Sequence, residues 1–131
     1  MTGGLRWLTP RMVIAFHRET LHRHGGGPGM RDAALLDSAL ARPRNRAAYD
    51  PEASVFDLAA EYCAGIVGNH PFVDGNKRTG LLAGIVFLSL NGYGFDADEA
   101  DIVTTIESLA AGNTEIATLA GWFARCSAPG P

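Results

Sequence analysis

An eleven-residue stretch near the middle of the chain gathers the side chains best suited to chemistry. It reads Asn69-His70-Pro71-Phe72-Val73-Asp74-Gly75-Asn76-Lys77-Arg78-Thr79. The stretch combines an imidazole, a carboxylate, a turn glycine, an amide and two adjacent cations. The largely apolar run Gly80–Leu90 follows directly. This order predicts a polar loop whose geometry is fixed by a buried element behind it.

The composition of this stretch predicts an anion site. If a helix begins near Asn76, its free backbone N–H groups and the positive end of its dipole face the loop. Lys77 and Arg78 add positive charge at the same end. Ten of the eleven basic residues in the chain are arginine, and Lys77 is the single lysine. Since a lysine ammonium is a compact charge that can follow a moving phosphoryl group, phosphate is the first candidate ligand.

The motif residues fit the roles that phosphoryl transfer requires. His70 suits removal of a proton from an attacking hydroxyl group, because imidazole titrates near neutrality. Asp74 offers a hard oxygen ligand for Mg²⁺. Gly75, Asn76 and the backbone N–H groups after them would form a cradle for phosphate oxygens. The two cations that follow would neutralise the charge that develops on those oxygens.

Other interpretations of the stretch fit its flanks and spacing less well. Asp74-Gly75 is a hairpin signal, but neither side alternates apolar and polar residues. A Walker loop would need glycine where Asn76 stands. A zinc site would have His70 and Asp74 without an obvious third or fourth ligand. Either residue alone could simply cap a helix or start a turn, whereas the complete set favours a site. Phe72, between polar neighbours, is expected to point inward and pin the loop to the core.

The chain as a whole predicts one compact domain over residues 1–131. Hydrophobic residues make up 47% and charged residues 19%, and the net charge of −3 provides no overall field that would draw the protein to nucleic acid. Cys63 and Cys126 lack metal or redox spacing, so Cys63 is expected to be a reduced, buried thiol. No signal peptide opens the chain, and the longest apolar run is about half of the ~20 residues that a membrane span needs. We therefore expect a cytoplasmic protein with no membrane association.

The periodicity of apolar residues predicts six helices, no convincing sheet and flexible ends at residues 1–8 and 127–131. The helices are expected from Thr9-Pro10 to His24, from Asp32 to just before Pro43, from Asp50-Pro51 to Gly68-Asn69, from about Asn76 to Leu90, from Asp96 (with Glu99 as a capping-box partner) to about Ala111, and over Thr114–Arg125. The motif loop then lies between two central helices. Gly80 and Gly84, one turn apart, should let a neighbouring helix approach closely.

Two connecting segments have a functional and a plain interpretation. The run Gly25–Gly29 resembles a phosphate loop, but it follows a helix and lacks a Lys-Ser/Thr pair, so a plain connector is favoured. Arg42, Arg44 and Arg46 alternate around Pro43, and could form a docking edge for a partner. A solvated connection is favoured there, because exposed arginines are common.

The stretch His70–Arg78 resembles the motif of the Fic/Doc superfamily, and specifically that of its Doc (death-on-curing) branch. Most Fic proteins carry glycine between the asparagine and the arginine, whereas the Doc branch carries lysine, as at Lys77. The upstream block from His17 through Gly25-Gly26 and Gly29–Asp32 to Pro43 also resembles the Doc pattern. The similarity therefore spans nearly the whole chain.

This resemblance implies a compact all-helical Fic/Doc fold and a toxin of a toxin–antitoxin pair. The implied activity is transfer of a phosphoryl group from Mg-ATP to a hydroxyl group of elongation factor Tu, which blocks translation. By position, His70 would be the catalytic base, and Asp74 the Mg²⁺ ligand. Lys77 and Arg78 would act on the phosphates in catalysis and binding. The nucleotide contacts implied are Phe72, Asp74, Gly75, Asn76, Lys77 and Arg78.

Two departures distinguish this chain from other Fic proteins. Adenylylating relatives have a second arginine three residues after the first, where this sequence has Leu81. The chain also lacks the inhibitory helix of some Fic proteins, because none of its glutamates is followed by glycine or asparagine. A separate, Phd-like antitoxin acting in trans is therefore implied. The alternatives that stay open are an AMP or nucleotidyl transferase and a catalytically idle helical module that binds an antitoxin.

Overall fold

The protein is described here by a computed structural model that covers residues 4–130. Over this range the chain forms six helices and one two-stranded sheet. In chain order these are α1 (Pro10–His24), α2 (Ala33–Tyr49), α3 (Val55–Asn69), α4 (Asn76–Leu90), β1 (Tyr93–Phe95), α5 (Glu99–Ala110), α6 (Ile116–Arg125) and β2 (Ser127–Pro129). The expected six-helix, all-α architecture is confirmed, with a small sheet added to it.

Helix α3 is the centre of the fold. It packs against α2, α4 and α6, and apolar side chains are buried along most of its length. Tyr62 and Ile66 have no exposed surface, and the Tyr62 hydroxyl accepts a hydrogen bond of 3.0 Å from the Leu8 N–H. Cys63 is also buried and free, as expected. The motif loop therefore leaves directly from the most buried helix of the domain.

Helix α4 approaches its neighbours closely through two glycines, as the sequence predicts. A Cβ atom at Gly80 would lie 2.8 Å from Cγ2 of Val67 on α3. A Cβ atom at Gly84 would lie 2.7 Å from Cζ of Phe123 on α6. Distances this short would force a neighbour to move. The two glycines thus fix how deeply α4 sits, and with it the position of the loop at its N-terminus.

Helix α2 continues through Pro43 to Tyr49, so the predicted stop before Pro43 is wrong. A proline inside a helix removes one backbone hydrogen bond and disfavours the helix locally. Tertiary ion pairs favour the continuation, because Arg42 and Arg46 both bind the buried carboxylate of Glu61 on α3, at 2.9 Å and 3.0 Å. These arginines therefore belong to a helix–helix contact instead of the solvated connection that was expected. The guanidinium of Arg44 lies 5.1 Å from the Trp7 ring centroid.

Three helix starts also differ from the prediction. Helix α3 begins after Ser54, whose hydroxyl and the carboxylate of Asp57 form a reciprocal capping box, and not at Asp50-Pro51. Helix α5 begins after Asp98, because the Asp96 N–H bonds the Cys126 carbonyl, next to the paired residues Phe95 and Ser127. The predicted capping box of Asp96 and Glu99 does not form. Helix α6 begins at Ile116, two residues later than predicted.

The ends of the described chain are tied to the fold. Strands β1 and β2 pair antiparallel, with Tyr93 opposite Pro129 and Phe95 opposite Ser127, so a sheet exists where none was predicted. The segment expected as a flexible C-terminal end therefore carries β2. At the other end Leu8 is buried. Residues 1–3 and 131, which belong to the two predicted flexible ends, lie outside the described residues.

Candidate active site

The motif loop connects the C-terminus of α3 to the N-terminus of α4, as predicted. His70 ends α3 in the left-handed conformation (φ 52°, ψ 56°), and among residues 4–130 it is the one non-glycine residue with positive φ. Gly75 precedes α4, also left-handed, at φ 77°. Two left-handed residues five positions apart fold the loop back on itself, and this brings its polar side chains to one surface.

Asn76 closes the loop with its side chain. Its amide oxygen accepts a hydrogen bond from the Phe72 N–H, and its amide nitrogen donates to the Phe72 carbonyl, both at 3.0 Å. Asn76 is buried, so its amide is committed to the loop. Any contribution of Asn76 to an anion cradle would therefore come from its backbone N–H. No side chain of residues 4–130 caps α4, so its first N–H groups remain available to an anion.

Phe72 points into the core, as predicted, and it lies against His17 of α1. The two rings stack with centroids 3.9 Å apart and planes within 8°. His17 is buried, and its Nε2–H donates to the Asp74 carbonyl at 2.8 Å. Only 1% of Phe72 is exposed, which leaves its side chain no surface for a nucleotide. The side chain therefore supports the loop from beneath, and the expected contact of Phe72 with the nucleotide stays a prediction.

Asp74 is exposed, and both of its carboxylate oxygens accept backbone hydrogen bonds. Oδ2 accepts from the Gly27 N–H at 3.2 Å, and Oδ1 accepts from the Gly75 N–H at 2.9 Å. These two bonds, followed by the charge of His17, lower the pKa of the Asp74 carboxyl below its ordinary value of 3.8. Asp74 is therefore a stable carboxylate at neutral pH.

The glycine run before α2 is part of the site. A Cβ atom at Gly26 would lie 2.9 Å from Oδ2 of Asp74. The Val73 N–H donates to the Gly29 carbonyl at 3.1 Å, and Met30 forms a β-bridge with Phe72. The segment for which a plain connector was favoured from the sequence therefore pairs its backbone with the backbone of the motif loop. It contacts the carboxylate of Asp74 through the Gly27 N–H.

His70 is exposed at the rim of the site. Its Nδ1 lies 3.4 Å from the Gly68 carbonyl, which favours the tautomer with the proton on Nδ1. The lone pair of Nε2 then remains free to accept a proton. The guanidinium of Arg31 donates to the carbonyls of Asn69 and His70. The backbone that carries the imidazole is therefore held from the α1–α2 connection.

The structure brings the motif side chains to one cavity. It has a volume of about 240 Å³, and His70, Val73, Asp74, Gly75, Asn76, Lys77 and Arg78 line it. Lys77 and Arg78 also line a larger groove of about 560 Å³ between α1, α4 and α5. Lys77 donates to Glu107 on the far wall of that groove at 2.7 Å. Lys77 and Arg78 therefore face both the cavity and the groove.

The donor set fits a magnesium ion held by one carboxylate. An ionised carboxylate has about four lone-pair positions, so Asp74 keeps ligand capacity beyond its two N–H bonds. Within residues 4–130 no group of three or more His, Cys, Asp or Glu could hold a metal. Mg²⁺ does not require such a group, because it binds through one or two carboxylates together with substrate phosphates and water.

Sequence reasoning gave no site role to four residues that contact the motif: His17, Gly27, Arg31 and Glu107. His17 was named there as the first residue of the upstream block that resembles the Doc pattern. Arg31 and Glu107 carry no local signal of a site role, because they meet the motif from distant parts of the chain, and Gly27 belongs to the glycine run for which a plain connector was favoured. Among the described residues, no helix has both the length and the apolar character of a membrane span.

Comparisons with known proteins agree with the motif. A sequence profile described as the Fic/DOC family matches residues 7–88. The chain is 32% identical over 122 residues to "Protein kinase doc" of Escherichia phage P1, covering 92% of this chain and 95% of that protein. It is 40% identical over 82 residues to "Toxin Doc" of Mycolicibacterium smegmatis, covering 59% of this chain and 63% of that protein. With the lysine-containing motif in place between α3 and α4, these matches show that the chain belongs to the Fic/DOC family, in its Doc branch.

Proposed function

We propose that this protein is the toxin of a toxin–antitoxin pair and that it transfers the γ-phosphoryl group of Mg-ATP to a hydroxyl group of a translation factor. Elongation factor Tu is the acceptor that the family resemblance implies. The observation that carries the proposal is the shared cavity of His70, Asp74, Lys77 and Arg78. A base, a metal ligand and two phosphate-binding cations lie within one small space. The names of the two relatives agree with a toxin and with a kinase.

The proposed chemistry assigns one task to each side chain. Nε2 of His70 takes the proton of the acceptor hydroxyl while its oxygen forms a bond to the γ-phosphorus. The bond from that phosphorus to the β–γ bridging oxygen breaks, and ADP leaves with the electron pair. Lys77 and Arg78 neutralise the charge on the transferring phosphoryl oxygens, which supplies most of the stabilisation in such reactions.

Asp74 would hold the magnesium ion with the oxygen lone pairs that its backbone bonds leave free. When bound, Mg²⁺ supplies positive charge to the phosphate oxygens. The lowered pKa of Asp74 keeps the ligand ionised across the range of physiological pH. The Gly27 and Gly75 N–H groups fix its direction.

Leu81 favours γ-phosphoryl transfer over AMP transfer. It follows Arg78 by three residues on α4, where adenylylating relatives carry a second arginine. It lines the groove beside both cations and offers no charge to the β- and γ-phosphates. Lys77 also fills a position that is glycine in those relatives. Both changes disfavour a pose in which the α-phosphorus faces His70.

The groove between α1, α4 and α5 is the proposed binding site of the antitoxin. Its apolar wall includes Leu82, Ile102, Val103 and Ile106, and the Val103 side chain is half exposed. A disordered segment that folds as an amphipathic helix would bury this wall. Because Lys77 and Arg78 line the same groove, such a helix would also cover the phosphate-binding cations.

Isotope labelling tests the reaction. The purified protein is incubated with elongation factor Tu, Mg²⁺ and ATP labelled on either the α- or the γ-phosphate, with His70→Ala as the matched inactive control. Phosphoryl transfer predicts label on the acceptor only from γ-labelled ATP, with ADP as the second product. Label from α-labelled ATP would instead establish AMP transfer. No label from either nucleotide, on this acceptor or on the proteins of a cell extract, would favour the idle binding module.

Growth assays test the partner. Expression of the protein alone should arrest growth, and co-expression of a small protein encoded beside its gene should relieve the arrest. Val103→Glu should keep the arrest and lose the relief, because it places a charge in the apolar wall of the groove. Harmless high-level expression of an active enzyme on its own would contradict the proposal of control in trans.

A further inference from the structure

Arg31 donates hydrogen bonds to three successive carbonyl groups at the start of the motif loop. Its Nε donates to the His70 carbonyl at 2.7 Å, and its Nη2 donates to the Asn69 carbonyl at 2.9 Å. Its own backbone N–H donates to the Pro71 carbonyl, also at 2.7 Å. The chain reverses direction at these three residues, and all three bonds come from one residue of the α1–α2 connection.

These bonds act at a point where the backbone is otherwise unfavourable. Carbonyls in the last turn of a helix lack intrahelical partners, and Arg31 supplies donors to two carbonyls there. His70 also adopts the left-handed conformation, which is unfavourable for a non-glycine residue and persists only when neighbours hold it. The imidazole itself is exposed, and its one hydrogen bond to residues 4–130 is the long one to the Gly68 carbonyl, at 3.4 Å, so its direction depends on its backbone.

We propose that Arg31 is a positioning residue for the base: by bonding the carbonyls of Asn69, His70 and Pro71 it fixes the left-handed turn that aims the His70 imidazole. The effect on kcat rests on the proposed function, whereas the effect on the conformation of the loop does not. Arg31 is exposed and lies outside the cavity, so it contributes little to the core. A lysine at this position could reach one carbonyl, but its ammonium cannot bridge two in the planar arrangement of a guanidinium.

The kinetic test compares Arg31→Ala and Arg31→Lys with the wild-type protein. We expect kcat to fall by about 10–10²-fold in Arg31→Ala, because a base displaced by roughly 1 Å loses that much rate, while KM for ATP stays within about twofold. Arg31→Lys should recover part of the loss, and added guanidinium ion should rescue Arg31→Ala but not Arg31→Lys. Arg18→Ala, a change of an exposed arginine on α1, is the matched control and should leave kcat unchanged. A wild-type kcat in Arg31→Ala, or a loss confined to KM, would overturn the proposal.

A second measurement does not depend on activity. The His70 N–H is bonded to the Ile66 carbonyl at 3.1 Å, so its hydrogen exchange reports the last turn of α3. We expect faster exchange of the His70 amide in Arg31→Ala, with the Tyr62 amide in the middle of α3 unchanged. If wild type transfers no phosphoryl group, the proposed function fails, and this measurement still decides the role of Arg31. Unchanged exchange at His70, or equal loss of protection at Tyr62, would refute local positioning.

Discussion

The Nζ atom of Lys77 lies 2.7 Å from Oε1 of Glu107, and this ion pair joins the first turn of α4 to α5 across the groove. Both side chains are about half exposed, at 49% and 60%. An exposed pair of this kind is worth at most about 1 kcal/mol. The pair therefore matters for ligand binding more than for stability, because it occupies the one lysine of the chain at the place where phosphate is proposed to bind.

Glu107→Gln is expected to strengthen nucleotide binding. The substitution frees Lys77 and removes a negative charge that would repel the phosphates. We expect the Kd for Mg-ATP, measured by calorimetry, to fall by roughly two- to fivefold, the range that an exposed pair allows. Glu52→Gln makes the same charge change in an exposed turn and should leave Kd unchanged. Weaker binding in Glu107→Gln would mean that Glu107 orients Lys77 for the nucleotide.

Acylation of lysine should inactivate the protein at a single side chain. Lys77 is the only lysine, and its ammonium is half exposed, so a mild reagent can reach it and the N-terminal amine alone. Mg-ATP should slow the modification of Lys77 and preserve activity, as followed by peptide mass spectrometry. Full activity after complete acylation of Lys77 would remove this residue from the mechanism.

Asp74→Asn should lower stability in a pH-dependent way. The pKa of Asp74 is lowered in the folded state, so its carboxylate contributes stability above its unfolded pKa, and this contribution is lost as pH falls through the folded value. The difference in Tm between wild type and variant should therefore stay constant from neutral pH to about pH 5. It should become smaller once the pH falls below 3.8, the ordinary pKa of the carboxyl group. Carboxyl NMR should place the midpoint of Asp74 below 3.8. An Asp74 midpoint above 3.8 would contradict the assignment.

Gly80→Ala should destabilise the fold. The added methyl group would lie 2.8 Å from Val67 and 2.9 Å from the Cys63 carbonyl, so α4 must move away from α3. We expect a loss of about 1–3 kcal/mol in the free energy of unfolding, measured by urea titration. Gly68→Ala is the control, because a Cβ atom there meets nothing within 4 Å, and alanine favours a helix. A loss in Gly68→Ala equal to that in Gly80→Ala would rule out the steric explanation.

His70→Ala should abolish growth arrest and leave the fold intact. Loss of a general base costs about 10²–10⁴-fold in rate, which is enough to remove toxicity at ordinary expression. Burial raises the pKa of the Cys63 thiol to about 12, so this thiol should stay unreactive in the folded variant and can serve as the check of folding. Equal toxicity of wild type and His70→Ala, with both proteins folded, would contradict an enzymatic function.

The sequence by itself predicted the parts of this protein that are local in the chain. The threonine and proline at the start of α1 and the apolar period of α3 and α4 each act within a few residues. The motif could be recognised for the same reason, because His70–Arg78 supplies base, carboxylate and cations from one uninterrupted stretch. Its place between α3 and α4 followed once those two helices were identified.

The tertiary structure alone decided which residues support that motif. Gly27 meets Asp74 across 47 positions, Arg31 meets His70 across 39, and Lys77 meets Glu107 across 30. The continuation of α2 through Pro43 likewise depends on Glu61 of the next helix. These contacts form because α1, α2 and α5 bury apolar faces around the same two helices, and that packing determines which polar groups meet. Local propensity and spacing carry no information about such distant pairs, since their energies arise only after the helices have docked.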